Sequence, residues 1–197
     1  MFYDQSKSRI IMSYPALLAA YPDAGDLSTE PARNALGLYL VHEQPPAYDP
    51  LPHTLALDGV ELVGGVYQAR YVLTQLPPDQ VRASLLQAVS AKRWAVETGG
   101  LTLPGGATVG TGIDDQNRIT SVIANAQLAG VASVDFKAQS GWVTLSLEHM
   151  RGIAAAIALH VQACFSAERA HHEAIAAASD ADLYGYDINV GWPGNGV

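Results

Sequence analysis

The hydrophobic pattern of this chain of 197 residues changes character at about residue 76. In residues 36–75, apolar and polar side chains alternate on either side of Gly64-Gly65, which is the pattern of strands joined by a tight turn. After that segment, apolar residues recur mainly at helical spacing. The pattern therefore predicts an α+β fold: a small antiparallel β-rich module, a connecting helix, and a hairpin-and-helix module that ends in a long helix.

Turn and cap signals give the boundaries of these parts. We predict a β-rich N-terminal module over residues 1–76, a connecting helix over 77–98, and an α+β C-terminal domain over 99–197 with an aromatic tail. A sheet of about three strands is marginal alone, so the first module needs a helix or a partner against it. The predicted elements are a strand at 9–12, a helix at 14–20, a loop at 21–31, strands at 36–41 and within 54–76, a hairpin over 101–111, a helix over 115–128, strands at 131–136 and 141–145, and a helix over 147–178 capped by Ser146.

Composition and charge narrow the classes of function. The formal net charge of −8 repels phosphate backbones, and lysine and arginine do not cluster, so we predict no nucleic-acid binding. The first residues lack the layout of a signal peptide, and no uninterrupted apolar run reaches the length of a bilayer span, so we predict no membrane insertion. The sequence also lacks a nucleophile elbow and a phosphate-binding glycine loop.

The stretch TGIDDQNRITSVI, residues 111–123, holds two adjacent carboxylates ahead of an apolar run. A calcium loop needs oxygen ligands at its first, third and fifth positions and a glycine at the sixth. Counted from Asp115, the fifth position is Ile119 and the sixth is Thr120, so the spacing excludes such a loop. The sequence predicts instead that Asp114 or Asp115 caps the following helix and complements its dipole.

Three histidines recur every eleven residues in the last helix, at His149, His160 and His171, and therefore lie on nearly one helix face. Packing in a core or a bundle seam is the first interpretation, and a histidine layer in a self-associated helix, able to hold a metal ion, is the second. Cys164, the single cysteine, is predicted to be a small buried core residue. The tryptophans are interpreted as packing anchors: Trp94, Trp142 and Trp192. We predict no catalytic, cofactor-binding or metal-binding residues.

Four motifs occur in the order AKRWAVETGG, DDQNRITSVIANA, GWVTLSLEHM and ALHVQACFSAERAHHEAI. Together they resemble a domain of unknown function that is common in tail-fibre and baseplate proteins of tailed phages and prophages of Gram-negative bacteria. The residues that match that pattern one by one are Gln116, Arg118, Ile119, Trp142, Thr144, Leu145 and Met150. The first half, with GLYLV, PPAYDP and the strand pair behind them, resembles the small N-terminal module of the same proteins.

The resemblance implies a non-enzymatic virion protein of the tail tip, in the baseplate or at the base of the tail fibre, made in the host cytoplasm. It implies protein–protein contacts with other tail-tip, baseplate or fibre proteins, extending to host receptor attachment, and a homo-oligomer, with a trimer favoured by fibre symmetry. Two alternatives stay open. One is a tail-fibre assembly chaperone that is absent from the mature virion, and the other is a metal-dependent hydrolase that uses Asp114, Asp115 or the histidines.

Overall fold

The computed structural model describes residues 1–104, 106–138 and 141–196. The chain divides into two units, unit 1 (Met1–Leu76) and unit 2 (Pro77–Val197). Both contain helices and strands, so the predicted α+β fold is confirmed. The segment predicted as a connecting helix belongs to unit 2. Gly105, in the turn of the predicted 101–111 hairpin, lies outside the described residues.

Unit 1 is built on a five-stranded sheet in the order β2-β1-β3-β5-β4. Its elements are β1 (Phe2–Asp4), β2 (Arg9–Ile11), α1 (Tyr14–Ala20), α2 (Glu30–Asn34), β3 (Leu38–His42), β4 (His53–Val63) and β5 (Val66–Gln75). All pairings are antiparallel except β3 with β5, which is parallel at Val41 with Tyr67 and at His42 with Gln68. The sequence predicted about three antiparallel strands. It missed β1, which has only three residues, and it missed the parallel pairing, which joins strands that are distant along the chain.

The core of unit 1 lies between the short strands and the helix α1. α1 has the predicted bounds, because Ser13 accepts a hydrogen bond from the N–H of Ala16 (3.3 Å) and a proline stands in the first turn. α2 lies partly in the segment 21–31 that was predicted as loop. The buried apolar side chains of this core are Phe2, Ile11, Leu17, Leu27 and Leu38.

Asp4 is a carboxylate in the interior of unit 1, and its side chain is inaccessible to solvent. Its Oδ1 accepts hydrogen bonds from the Ser6 hydroxyl (2.7 Å) and the Lys7 N–H (3.2 Å). Its Oδ2 accepts from Nε of Arg9 (3.0 Å) and from the Tyr21 hydroxyl. Burial raises the pKa of this carboxyl, but the hydrogen bonds outweigh burial and lower the pKa from 3.8 to about 2.

We expect acid to destabilise unit 1 through Asp4. The pKa is lower in the folded chain, so ionised Asp4 stabilises the fold above about pH 4, and this contribution is lost as the pH falls from 3.8 to about 2. The loss should be on the order of 1–2 kcal/mol, because Arg9 is 43% exposed and solvent screens the pair. Urea unfolding monitored by NMR of unit 1 across this range, in the wild type and in Asp4→Asn, measures it. An equal pH dependence in both proteins would contradict the assignment.

Unit 2 is organised around one long helix, α5, which contacts α3, α4 and β9. Its elements are α3 (Pro78–Glu97), β6 (Leu101–Thr102), β7 (Thr108–Val109), α4 (Ile113–Ala129), β8 (Ser133–Ala138), β9 (Gly141–Ser146), α5 (Leu147–Ala177) and α6 (Asp180–Leu183). Ser146 caps α5 as predicted, because its hydroxyl accepts from the N–H of His149 (3.1 Å). The buried side chains of one core cluster are Leu101, Val109, Ile119, Met150 and Ile157.

α5 is also long and apolar enough to cross a membrane by length and composition. An 18-residue window within it has a mean hydropathy of 1.3, and 22% of that window is buried in the structure. The sequence predicted that no uninterrupted apolar run is this long, and polar and charged residues do interrupt α5, whose many alanines raise the mean. The absence of membrane insertion therefore stays a prediction. Core helices of soluble proteins meet the same test, so the finding concerns length and composition alone.

Candidate functional site

A cluster of charged and aromatic side chains lies where α3 packs along α5. Arg93 on α3 donates from Nη1 to the carboxylate of Glu97, one turn further along the same helix. Its Nε lies 3.0 Å from Oε2 of Glu168 on α5. That N–H does not point at the oxygen in hydrogen-bond geometry, so the second contact is an ion pair only. Two carboxylates from two helices therefore hold one guanidinium in place.

The same guanidinium contacts two aromatic rings. Its Cζ lies 4.6 Å from the ring centroid of Phe165 and 5.7 Å from that of Trp94, within the range of a cation–π interaction. Trp94 and Phe165 are 49% and 47% exposed, whereas the side chain of Arg93 is 17% exposed. We name these three residues the arginine–aromatic patch. Exposed aromatic rings around an ordered arginine are typical of protein–protein contact surfaces.

Cys164 and His160 form a buried pair near the same helix junction. Sγ of Cys164 lies 3.7 Å from Nε2 of His160, and that nitrogen lies 3.2 Å from the carbonyl oxygen of Val96. A carbonyl only accepts, so Nε2 carries a proton and cannot take one from the thiol. Burial, and secondarily the nearby Glu97 carboxylate, raises the pKa of the thiol. The pair therefore lacks the properties of a nucleophile and base, and the prediction of a buried core cysteine is confirmed.

We expect Cys164 to be unreactive in the folded protein. The thiolate is the reacting species, and both burial and the raised pKa suppress it. Labelling by an aromatic disulfide reagent at about pH 8 should be roughly a thousandfold slower than labelling of the chain in concentrated urea, because the reagent must wait for opening of unit 2. Comparable rates in the two conditions would show that the thiol is accessible.

His171 joins α5 to the aromatic C-terminal segment. Its Nε2 lies 2.9 Å from the carbonyl oxygen of Val190 and therefore donates. Its Nδ1 lies 2.8 Å from the hydroxyl of Tyr186. The ring of Trp192 stacks on the imidazole with 5.2 Å between centroids, and its indole N–H donates to the carbonyl of Ile188 (2.8 Å). The aromatic tail is thus attached to α5 of its own chain.

The eleven-residue spacing places two histidines in the interior of unit 2, but it does not create a layer for a second copy. His160 and His171 are 6% and 7% exposed, and both contact groups of their own chain. His149 is exposed in the first turn of α5. The hypothesis of a histidine layer is therefore wrong, and packing in the core is confirmed for His160 and His171 but not for His149. Within residues 1–104, 106–138 and 141–196, no group of three or more histidine, cysteine or acidic side chains is placed to hold a metal ion.

The acidic pair of TGIDDQNRITSVI does not cap its helix. α4 begins at Ile113 with Gly112 in the N-cap position, so Asp114 and Asp115 lie inside the first turn. The prediction of a capping aspartate is therefore wrong: the helix starts earlier than expected, although both charges still complement its dipole. The carboxylate of Asp115 lies against Gly110, where a β-carbon would collide with it. A side chain at residue 110 would therefore displace the Asp115 carboxylate.

A second exposed surface lies on unit 1. β4 is the edge strand of the sheet, and no residue of β4 or β5 is buried. Because β3 pairs with β5 only at Tyr67 and Gln68, most of these two strands form a two-stranded β4–β5 ribbon. A ribbon of this kind has little stability alone, and it contributes no buried side chain to the core of unit 1.

The two faces of the β4–β5 ribbon differ in chemistry. Four consecutive cross-strand pairs on one face are apolar or aromatic: Leu55 with Leu73, Leu57 with Tyr71, Val60 with Ala69, and Leu62 with Tyr67; the polar pair of His53 with Gln75 ends that face. The other face carries the ion pair of Arg70 with Asp58 (2.9 Å), beside a bulge between Leu57 and Gly59. β4 contains no lysine or proline to guard its open edge. The ribbon therefore offers both an apolar face and unpaired backbone groups.

One family model matches the chain, over residues 80–190, and it is described as a domain of unknown function (DUF4376). The match covers more than half of the sequence. The chain belongs to the DUF4376 family. No curated protein and no solved structure matches it significantly.

The DUF4376 region covers most of unit 2. It contains the arginine–aromatic patch, Cys164 and His171, whereas Trp192 and the β4–β5 ribbon lie outside it. Sequence reasoning missed the patch because its residues come from two helices separated by α4 and two hairpins. The sequence features that could have indicated the patch are the adjacent Arg93 and Trp94 on α3 and the aromatic Phe165 on α5. The interpretation of every tryptophan as a packing anchor is wrong for Trp94 and for Trp142, which is 73% exposed.

Proposed function

We propose that this DUF4376 protein is a structural component of a tailed-phage tail tip, in the baseplate or at the base of the tail fibre, located in the virion and acting through protein–protein contacts. We propose further that it forms a homo-oligomer, a trimer in the simplest case, and contributes to host attachment. The observation that carries the contact role is the β4–β5 ribbon. The tail location is supported by the ordered motifs of the DUF4376 region and their resemblance to tail proteins.

The ribbon supports a role in assembly because no side chain of its apolar face is buried, although Tyr67 packs on the rings of Tyr3 and Tyr39. Along this face Leu62 is 60% exposed and Leu73 is 47% exposed. Full burial of such a side chain contributes about 1.5–3 kcal/mol, so covering the several half-exposed ones would stabilise an assembly by a few kcal/mol. The open edge of β4 adds backbone hydrogen bonds for an extended partner.

The arginine–aromatic patch supports the same role from unit 2. Its rings are exposed, yet the guanidinium between them is ordered by two carboxylates, so little side-chain entropy is lost when a partner covers it. The described part of the chain offers no metal-ligand group in favour of the hydrolase alternative. This geometry therefore supports a role in protein–protein contacts better than it supports a metal-dependent hydrolase.

Peptide mass spectrometry of purified virions tests the proposal directly. We expect peptides from both units at a stoichiometry comparable to other tail-tip proteins. Absence from particles, with the chain present in the infected cell, would instead favour the assembly chaperone and contradict the virion role.

Light scattering tests the contact surface. We expect an oligomeric molar mass at high micromolar concentration, reduced by Leu62→Asp on the apolar face of the ribbon and retained by Thr54→Asp on the other face. A wild-type protein that stays monomeric at this concentration would count against self-association through the ribbon.

A further inference from the structure

Unit 1 contains an open cleft between α2, β3 and the turn that joins β4 to β5. Its volume is about 210 Å³, and polar and apolar groups share its wall almost equally. Glu30 and Asn34 line it from α2, Tyr39 and His42 from β3, and Tyr67 from β5.

Aromatic rings form one side of the cleft. The rings of Tyr39 and Tyr67 lie 4.8 Å apart between centroids with 39° between their planes, and Tyr3 packs against Tyr67 at 5.0 Å. Burial, and secondarily the neighbouring phenols, raises the pKa of Tyr67, so its hydroxyl stays protonated at neutral pH. Neither Tyr39 nor Tyr67 uses its hydroxyl in a hydrogen bond within the described residues, so both remain available to a ligand as donors and acceptors.

Planar polar groups form the other side. Glu30 and Asn34 stand one turn apart on α2, and Nδ2 of Asn34 lies 3.4 Å from Oε1 of Glu30, so the amide and the carboxylate orient each other. The imidazole of His42 is exposed beside them. The cleft thus combines acceptors of a carboxylate with donors of an amide and an imidazole, all next to aromatic rings.

We propose that this cleft binds an uncharged saccharide. Sugar hydroxyls both donate and accept, which matches the mixed set of polar groups, and the C–H face of a sugar ring packs on tyrosine rings. An ammonium ligand would use only the acceptors and the ring faces and would leave the amide and phenol donors unmatched. An anion would meet the carboxylate of Glu30 and a chain of net charge −8. Binding of this kind is independent of the tail location proposed above.

NMR titration of the full-length protein tests this site with neutral hexoses, N-acetylhexosamines and their disaccharides, and with sialic acid and choline as charged comparisons. We expect saturable shifts of the Tyr39 and Tyr67 ring signals with at least one neutral sugar, at a dissociation constant of about a millimolar, as suits a shallow open cleft. Sialic acid and choline should bind at least about tenfold more weakly.

Variants assign the binding to the cleft. Tyr39→Ala should weaken it roughly tenfold and Tyr39→Phe much less, because the ring supplies the packing surface. Glu30→Gln, at an exposed position that leaves the fold intact, should weaken it severalfold, whereas Glu61→Gln, outside the cleft, should have no effect. The proposal is overturned if no neutral sugar in the panel binds, if choline or sialic acid binds more tightly, or if Glu30→Gln binds like the wild type. None of these outcomes changes whether the chain is found in virions.

Discussion

Replacing Arg93 with alanine is expected to lower the free energy of unfolding of unit 2 by about 3 kcal/mol. Arg93 is the cationic partner of Glu97, which is 3% exposed, and of Glu168, whose side chain is 16% exposed. Removing the guanidinium leaves two carboxylates close together in a region with little access to water. An uncompensated buried charge destabilises a fold far more than the intact pair stabilises it.

The measurement is urea unfolding monitored by tryptophan fluorescence, which reports unit 2 because all three tryptophans lie there. Arg169→Ala is the matched control, because Arg169 also forms an ion pair with a glutamate one helical turn away, Glu173. These two side chains are 81% and 65% exposed, so the loss of unfolding free energy should be below about 0.5 kcal/mol. Adding Glu97→Gln to Arg93→Ala should recover part of the stability. A loss in Arg93→Ala no larger than in the control would contradict this account.

Replacing Asp4 with alanine is expected to destabilise unit 1 by about 2–3 kcal/mol. The variant removes the acceptor of four hydrogen bonds at once and leaves the Tyr21 hydroxyl and the Lys7 N–H without their partner. Asp4 also lies in β1, which pairs with both β2 and β3, so the loss acts on an interior strand of the sheet. Asp4→Asn should lose less, because its amide oxygen still accepts.

Unit 1 contains no tryptophan, so native-state hydrogen exchange of the β1 and β3 amides is the measurement of choice. Asp58→Ala serves as the control, since it breaks an ion pair with Arg70 in which both side chains are about half exposed. Its effect on these amides should be within about 0.5 kcal/mol. Equal effects of Asp4→Ala and Asp58→Ala would show that the buried hydrogen bonds contribute no more than a surface pair.

Elements with local signals could be predicted from the sequence almost to the residue. The helices behind Ser13 and Ser146 begin where a side-chain oxygen caps them, and the β4–β5 hairpin follows from alternation around its glycine turn. β1 carried no comparable signal, because three residues show no period and one of its two partner strands, β3, lies far along the chain. The start of α4 was misjudged because an aspartate is a stronger capping signal than the glycine that holds the position.

The candidate surfaces were less predictable than the fold. The histidine period correctly indicated one face of α5, but spacing along one helix does not show what covers that face, and here other parts of unit 2 cover it. The arginine–aromatic patch and the cleft of unit 1 both join residues from different elements of the chain. Their chemistry exists only after packing has placed α3 on α5, and β3 beside β5.

In the proposed assembly, the open edge of β4 also limits how long a newly made chain can stay free without aggregating. Two free chains that meet can join their edges in the wrong way, and the rate of such encounters rises with the square of the free concentration. The rate of capture by a partner rises only in direct proportion to the concentration of the free chain. If the ribbon binds a partner as proposed, we expect the timing of synthesis to matter as much as affinity, because a chain made before its partner is more exposed to aggregation than one made when the partner is already present.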